Sequence, residues 1–186
     1  QFGAELGVNT VIGEAQGPPD PKPNQIPAPF ISRQFVTLNS TTVYVEPGMW
    51  VDGTFSPHPR FKAVAGVRID YNTVMQDGWV DPRLGLFWNP WDPLTLKAGV
   101  GLFHQSPDYR TGELSAALGN PDLLPEGARH YMVGTEVRFT DAISVDVQGY
   151  YKDLFHLSRQ TWAVAGGGQS IDLKYTSRGV GRSYGV

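Results

Sequence analysis

In the stretch FKAVAGVRIDY, residues 61–71, Phe61, Ala63, Ala65, Val67, Ile69 and Tyr71 alternate with Lys62, Val64, Gly66, Arg68 and Asp70. Successive side chains of an extended strand point to opposite faces, so this stretch reads as a strand with one apolar face and one polar or small face. Its length suits a tilted strand crossing a bilayer, which needs about 9–11 residues. The same pattern recurs downstream. Val80, Pro82, Leu84, Leu86 and Trp88 oppose Asp81, Arg83, Gly85, Phe87 and Asn89, and Leu94, Leu96, Ala98, Val100 and Leu102 oppose Thr95, Lys97, Gly99, Gly101 and Phe103. Tyr131, Val133, Val137 and Phe139 oppose His130, Met132, Gly134, Glu136 and Arg138. Ile143, Val145, Val147 and Tyr151 oppose Ser144, Asp146, Gln148 and Lys152. Charges repeatedly share a face with glycine.

Three looser segments complete a set of eight: roughly residues 2–15, 39–55 and 173 to the end, where glycine or proline interrupts the alternation. The connections carry a second pattern. Residues 56–60 (SPHPR), 89–93 (NPWDP) and 140–142 (TDA) read as tight turns, whereas residues 16–38, 72–79, 105–128 and 156–172 read as longer loops. Alternation of short and long connections is what a meandering antiparallel barrel produces, with long loops outside the cell and short turns in the periplasm. The Pro-rich stretch GPPDPKPNQIPAP and the segment from Gln105 to Ala128 are then expected to be exposed extracellular loops.

Composition narrows the function classes. Fifteen Lys+Arg against 18 Asp+Glu, a formal charge of -3, leave no basic footprint for nucleic acid. With 22 Gly, 15 Pro and 12% aromatic residues, the chain is rich in turn formers and in residues that suit pleated sheets, which favours an all-β protein. The absence of cysteine excludes disulfides and thiolate metal sites. No apolar run reaches the ~18 residues of a spanning helix, and the first residues lack a basic segment followed by an apolar one, so any signal peptide is expected to be already removed. The mean hydropathy of -0.26 is compatible with a barrel having one lipid-facing and one watery side.

A soluble sandwich or propeller also alternates, but sandwich strands are typically ~5–6 residues long. Water-facing sheets also have no need of Trp and Tyr near so many strand ends. Trp50, Tyr71, Trp79, Trp88, Trp91, Phe139, Tyr150, Tyr151 and Phe155 cluster there. An apolar body with a polar tip suits the membrane interface, and the expectation is an aromatic girdle at each rim.

At these residues the sequence resembles the barrel of a TonB-dependent receptor. VDPRLGLFWNPWDPLTLKAGVGLFHQSP, Val80 to Pro107, is similar to that family's recurring strand, turn and strand ending in a His-Gln or similar pair. NPDLLPEGARHYMVGTEVRF, Asn120 to Phe139, is similar to its NPxLxPE segment and following strand. AISVDVQGYYKDLFHL and GVGRSYGV resemble the strands that come next. The resemblance covers roughly residues 60–186 in the right order. It implies an all-β antiparallel transmembrane β-barrel, of which this chain supplies about eight strands out of about 22. Residues 1–186 are then expected to be part of one outer-membrane β-barrel domain, with neither the family's plug domain nor its partner-engaging segment in this chain. The expected partners are outer-membrane lipid, the remaining strands or another chain that closes the sheet, and a periplasmic energy-transducing protein for the parent receptor. Because unpaired strand edges are costly in lipid, a fragment or one part of a split barrel is the expectation, against closure as a small eight-stranded barrel.

Enzymatic motifs are not found, and no enzyme activity or cofactor is expected. His58, His104, His130 and His156 lack the i, i+4 spacing of a helical zinc site and read as turn and loop-edge residues. Gly99 and Gly101 read as strand glycines, since no helix follows to cradle a phosphate. Asp81 with Arg83, and Glu136 with Arg138, place opposite charges on one lumen face, where neutralisation by neighbouring charges is the plainer role than acid-base work. If the protein transports, solute first meets the outer loops and upper lumen. His104 and Gln105 at the rim, then Asp108, Tyr109 and Arg110 in the following loop, are the candidate ligand contacts. The resemblance implies import of a scarce solute such as an iron chelate; the alternative is a non-transporting barrel serving adhesion or envelope assembly.

Overall fold

A computed structural model describes residues 1–17, 36–107, 120–140, 142–164 and 171–186. Eight strands run in chain order: β1 (Phe2–Gly17), β2 (Val36–His58), β3 (Phe61–Asn72), β4 (Asp77–Trp91), β5 (Leu94–Gln105), β6 (Glu126–Thr140), β7 (Ile143–Val164) and β8 (Ile171–Gly185). Each pairs antiparallel with its sequence neighbour, giving one open sheet of order β1-β2-β3-β4-β5-β6-β7-β8. β1 and β8 are its edges, so the chain does not close as an eight-stranded barrel. Among the described residues, no helix is long and apolar enough to cross a membrane.

The alternation read from the sequence coincides with the pairing register. Val67 stands opposite Val51 and Pro82, while Gly66 stands opposite Asp52 and Arg83. One face of the sheet is therefore apolar and the other charged. A single sheet layer has almost no interior, and large apolar side chains such as Val133 (67% exposed) and Phe139 (66%) lie open on the apolar face. On β6 the apolar positions run from Tyr131 to Phe139, and on β7 from Ile143 to Tyr151, the length a tilted spanning strand requires.

Three sequence expectations are corrected by the register. The first concerns connections. The presumed long loop 72–79 is a four-residue turn between Asn72 and Asp77. Asn72, fully buried, accepts the N–H groups of Val74 and Met75 at 2.9 and 3.0 Å through its Oδ1, so its side chain imitates a backbone turn. Likewise β1 and β2 pair as far as Gly17↔Val36, and β7 and β8 as far as Val164↔Ile171, so ladders extend into stretches read as loops 16–38 and 156–172. Backbone pairing needs no alternation of side chains, and so left no trace in the pattern.

The second correction concerns the aromatic girdle. Tyr71, Trp88, Trp91, Phe139 and Tyr151 are exposed and lie on the apolar face, whereas Trp50, Trp79 and Tyr150 pair with Arg68, Asp70 and Met132 on the charged one. The third concerns histidines. His58 ends β2 and accepts the Arg60 N–H in its turn at 3.1 Å, as expected. His130 instead lies within β6, its ring 4.5 Å from that of Phe103. His156 lies within β7, in the left-handed region (φ 56°) beside the irregularities between Leu154 and Arg159.

Candidate ligand site at the loop side of the charged face

The charged face is organised by glycines. Arg83 reaches Asp52 over Gly66, with Nη2 to Oδ2 at 2.7 Å and Nε to Oδ1 at 3.0 Å, although an entire strand lies between them. Arg68 likewise reaches over Gly48 to Glu5 while holding Asp70 at 2.7 Å. Lys97 sits opposite Gly134 and meets both Glu136 and Asp146 at 2.7 Å. A glycine in the middle strand leaves room for a long cation to cross it, which explains why charges and glycines share this face. The expected neutralisation of Arg83 and Glu136 is present, but the partners come from other strands, Asp52 for Arg83 and Lys97 for Glu136, while Asp81 binds His104.

Toward the long-loop side these pairs border a cavity of about 540 Å³ whose lining includes Glu46, Arg68, Asp70, Trp79, Asp81 and His104. Asp81 is buried and binds His104 twice: its Oδ2 accepts the backbone N–H at 3.0 Å, and its Oδ1 lies 2.6 Å from ring Nδ1. The β4–β5 register extends only to Arg83↔Gly101, so beyond that pair the Asp81 carboxylate takes over the binding of β5. Glu46 of β2 accepts the Asn72 amide at 2.7 Å and the Ser106 hydroxyl at 2.8 Å. The chain leaving β5 therefore crosses the charged face as far as β2. Residues returning to β6 lie against β8: Leu124 N–H donates to Ser177 Oγ at 2.8 Å, and buried Leu123 packs with Tyr175 and Met75.

Of the sequence-derived candidates, His104 and Gln105 lie at this rim. Gln105 donates to Glu126 at 3.0 Å, and the other oxygen of Glu126 accepts the Ser158 N–H at 2.8 Å, tying β5, β6 and β7 together. Asp108, Tyr109 and Arg110 lie outside the described residues. The sequence reading missed Glu46, Asp81 and Glu126 as the groups that hold the rim; the available signal was a carboxylate near a strand end for Asp81 and Glu126, whereas Glu46 lies in the middle of β2 and gave none. Among the described residues, no group of three or more His, Asp or Glu is placed to hold a metal ion. The cavity offers carboxylates and a guanidinium already paired with each other, with the aromatic rings of Trp79 and Phe103 beside them.

Comparison with known proteins agrees with this architecture. The sheet superposes on the ferric enterobactin receptor PfeA of Pseudomonas aeruginosa, in mutant form, with a TM-score of 0.74 at 14% identity, covering 99% of this chain and 29% of that one. It matches the siderophore receptor PirA of the same organism with a TM-score of 0.65 at 16% identity, covering 79% of this chain and 31% of that one. It matches the copper transporter OprC with a TM-score of 0.59 at 16% identity, covering 99% and 32%. The chain thus spans about a third of the length of these proteins or slightly less. No curated protein matches it in sequence. The family described as "TonB dependent receptor-like, beta-barrel" matches residues 2–186. This chain, over essentially its whole length, belongs to the TonB-dependent receptor β-barrel family.

Proposed function

We propose that residues 1–186 form part of one β-barrel domain in the outer membrane of a bacterium, the wall of a receptor that imports a scarce solute such as an iron chelate. The observation that carries this reading is the two-faced sheet, in which an apolar band of spanning length backs a face of cross-strand ion pairs. Lipid covers the first face; the second lines the lumen. The long connections then face outward, and the cavity beside His104 and Gln105 is where solute arrives, with Asp108, Tyr109 and Arg110 contributing from the loop that follows. Two structural relatives are receptors for ferric enterobactin or siderophores and a third is a copper transporter, which supports a metal-bearing solute. The energy for import comes from a periplasmic transducing partner acting on the complete receptor, and the remaining strands close the sheet. No step in this role breaks or forms a covalent bond in the solute.

The test is uptake of labelled ferric chelates by cells producing the complete receptor, with and without the transducing partner. Import that needs both supports the proposal. A receptor that reaches the outer membrane yet imports no chelate under iron limitation would leave the wall to adhesion or envelope assembly.

A further inference from the structure

The sheet is continuous toward its short turns and forked toward its long connections. β3 and β4 stay paired out to Asn72↔Asp77, and β5 and β6 out to Gln105↔Glu126, but β4 and β5 part beyond Arg83↔Gly101. The cause is Pro82. Consecutive residues of an antiparallel strand turn their backbone groups to alternate neighbours. The β3–β4 ladder passes Pro82 without a break although proline has no N–H, so position 82 faces β5, and the missing donor ends that ladder instead. Val80, two residues further on, faces the same seam and has no β5 partner in register. Side chains close what the backbone leaves open. Buried Asp81 accepts the His104 backbone N–H at 3.0 Å, with its Oδ1 2.6 Å from ring Nδ1. Nearby, Ser106 donates to Glu46, and Leu123 packs with Met75. Toward the long connections the wall is therefore two bodies, β1–β4 and β5–β8, each laddered within itself and tied to the other through side chains. Asp81, His104, Glu46 and Ser106, which make two of these ties, also line the cavity of about 540 Å³.

We propose that this fork is a hinge in the barrel wall: the two bodies swing about Arg83 and Gly101, the Asp81–His104 contact latches them, and solute filling the cavity releases the latch. The hinge rests on the register; its part in import rests on the function proposed above. Opening a backbone ladder breaks several bonds together, whereas here a single carboxylate holds the strand end, and both it and its partner are within reach of an occupant. A solute bearing N–H, O–H or cationic groups competes with His104 for the Asp81 oxygens. Release widens the cavity along the β4–β5 seam as solute enters it.

The experiment uses the complete receptor. Reconstituted in vesicles, the wild type should exchange the Val80 amide hydrogen about tenfold faster than that of Leu84, which pairs with Val100 on the laddered side of the pivot. Pro82→Val restores the missing N–H and should remove most of that difference. Equal exchange at Val80 and Leu84 in the wild type overturns the proposal, as does a difference untouched by the valine. A second measurement keeps Pro82 in place. Val80→Cys/Leu102→Cys spans the seam, whereas Ile69→Cys/Val80→Cys joins register partners inside one body, and residues 1–186 have no cysteine of their own. Each pair is bridged in cells with a reducible bis-methanethiosulfonate, and uptake of labelled ferric chelate is followed. Bridging the seam should cut uptake about tenfold, reversed by reduction, and bridging within one body should leave it unchanged. Equal uptake by the two bridged forms overturns the hinge, also where Pro82→Val fails to fold. Where unbridged receptor in the outer membrane imports no ferric chelate, the import reading fails by itself, and the exchange comparison still decides the hinge.

Discussion

Arg83 and Asp52 form a salt bridge of 2.7 Å although β3 runs between their strands, because the residue between them in register is Gly66. A Cβ at position 66 would stand 2.9 Å from the Arg83 Nε and would also crowd Asp52 Oδ1, so the pair and any side chain there compete for one space. A double-mutant cycle on Asp52→Ala and Arg83→Ala in the reconstituted receptor should give a favourable coupling that weakens with added salt. Repeating the cycle on a Gly66→Val background should bring it close to zero. A coupling that survives the valine would refute the bridging role of the glycine.

Val67 lies between Val51 and Pro82 on the apolar face, whereas Val64 lies between Thr54 and Gly85 on the charged one. Val67→Arg should destabilise the barrel by roughly 2–4 kcal/mol if it sits near the bilayer midplane. Val64→Arg, directed into a wet lumen, should cost distinctly less. Denaturant titration in lipid vesicles measures both, and equal costs would remove the assignment of faces.

The Asp81 carboxylate binds both the backbone N–H and the ring of His104. Asp81→Ala should therefore free the end of β5, raising the hydrogen-exchange rate of the His104 amide while that of the paired Val100 amide stays unchanged. Solute affinity should fall with it if His104 is a contact. An unchanged His104 amide would show that β5 is held there by other means.

Asn72→Ala removes the acceptor for two N–H groups in the β3–β4 turn and the donor to Glu46. The cost should be about 1–3 kcal/mol, the penalty of leaving buried polar groups unmade. Asn72→Ser should recover part of it, because a hydroxyl oxygen can still accept from the turn without setting a second carboxylate against Glu46. Equal stability of the alanine and serine variants would argue against the turn bonds.

His156 occupies a left-handed backbone conformation at a strand irregularity, with φ 56°. A β-branched residue is strongly disfavoured there. His156→Val is expected to lose about 1–3 kcal/mol, the cost of a strained backbone position, and His156→Gly to lose little or nothing. Thermal unfolding of the two variants in the same detergent would decide it; a glycine variant as unstable as the valine would place the role in the imidazole.

The sequence by itself determined the two faces and the order of the strands. Period-2 alternation is a local property, and wherever one face is apolar it dictates which residues share it, so Phe61 to Tyr71 and the four strands after it could be read residue by residue. The tight turns read over residues 56–60 and 89–93 were legible from their prolines, although the strands run on to His58 and Trp91 and leave only Pro59–Arg60 and Asp92–Pro93 as turn. Only the tertiary structure decided who meets whom. The register of one strand on the next sets Gly66 between Asp52 and Arg83, sets Trp50 against Arg68 and Trp79 against Asp70, and aligns Tyr131, Tyr151 and Tyr184 in one rung. These relationships span tens of residues of chain and leave no trace in any short window. The rim followed the same division: His104 and Gln105 were visible as a polar pair ending a strand, but the carboxylates that hold them, Asp81 and Glu126, arrive from strands on either side.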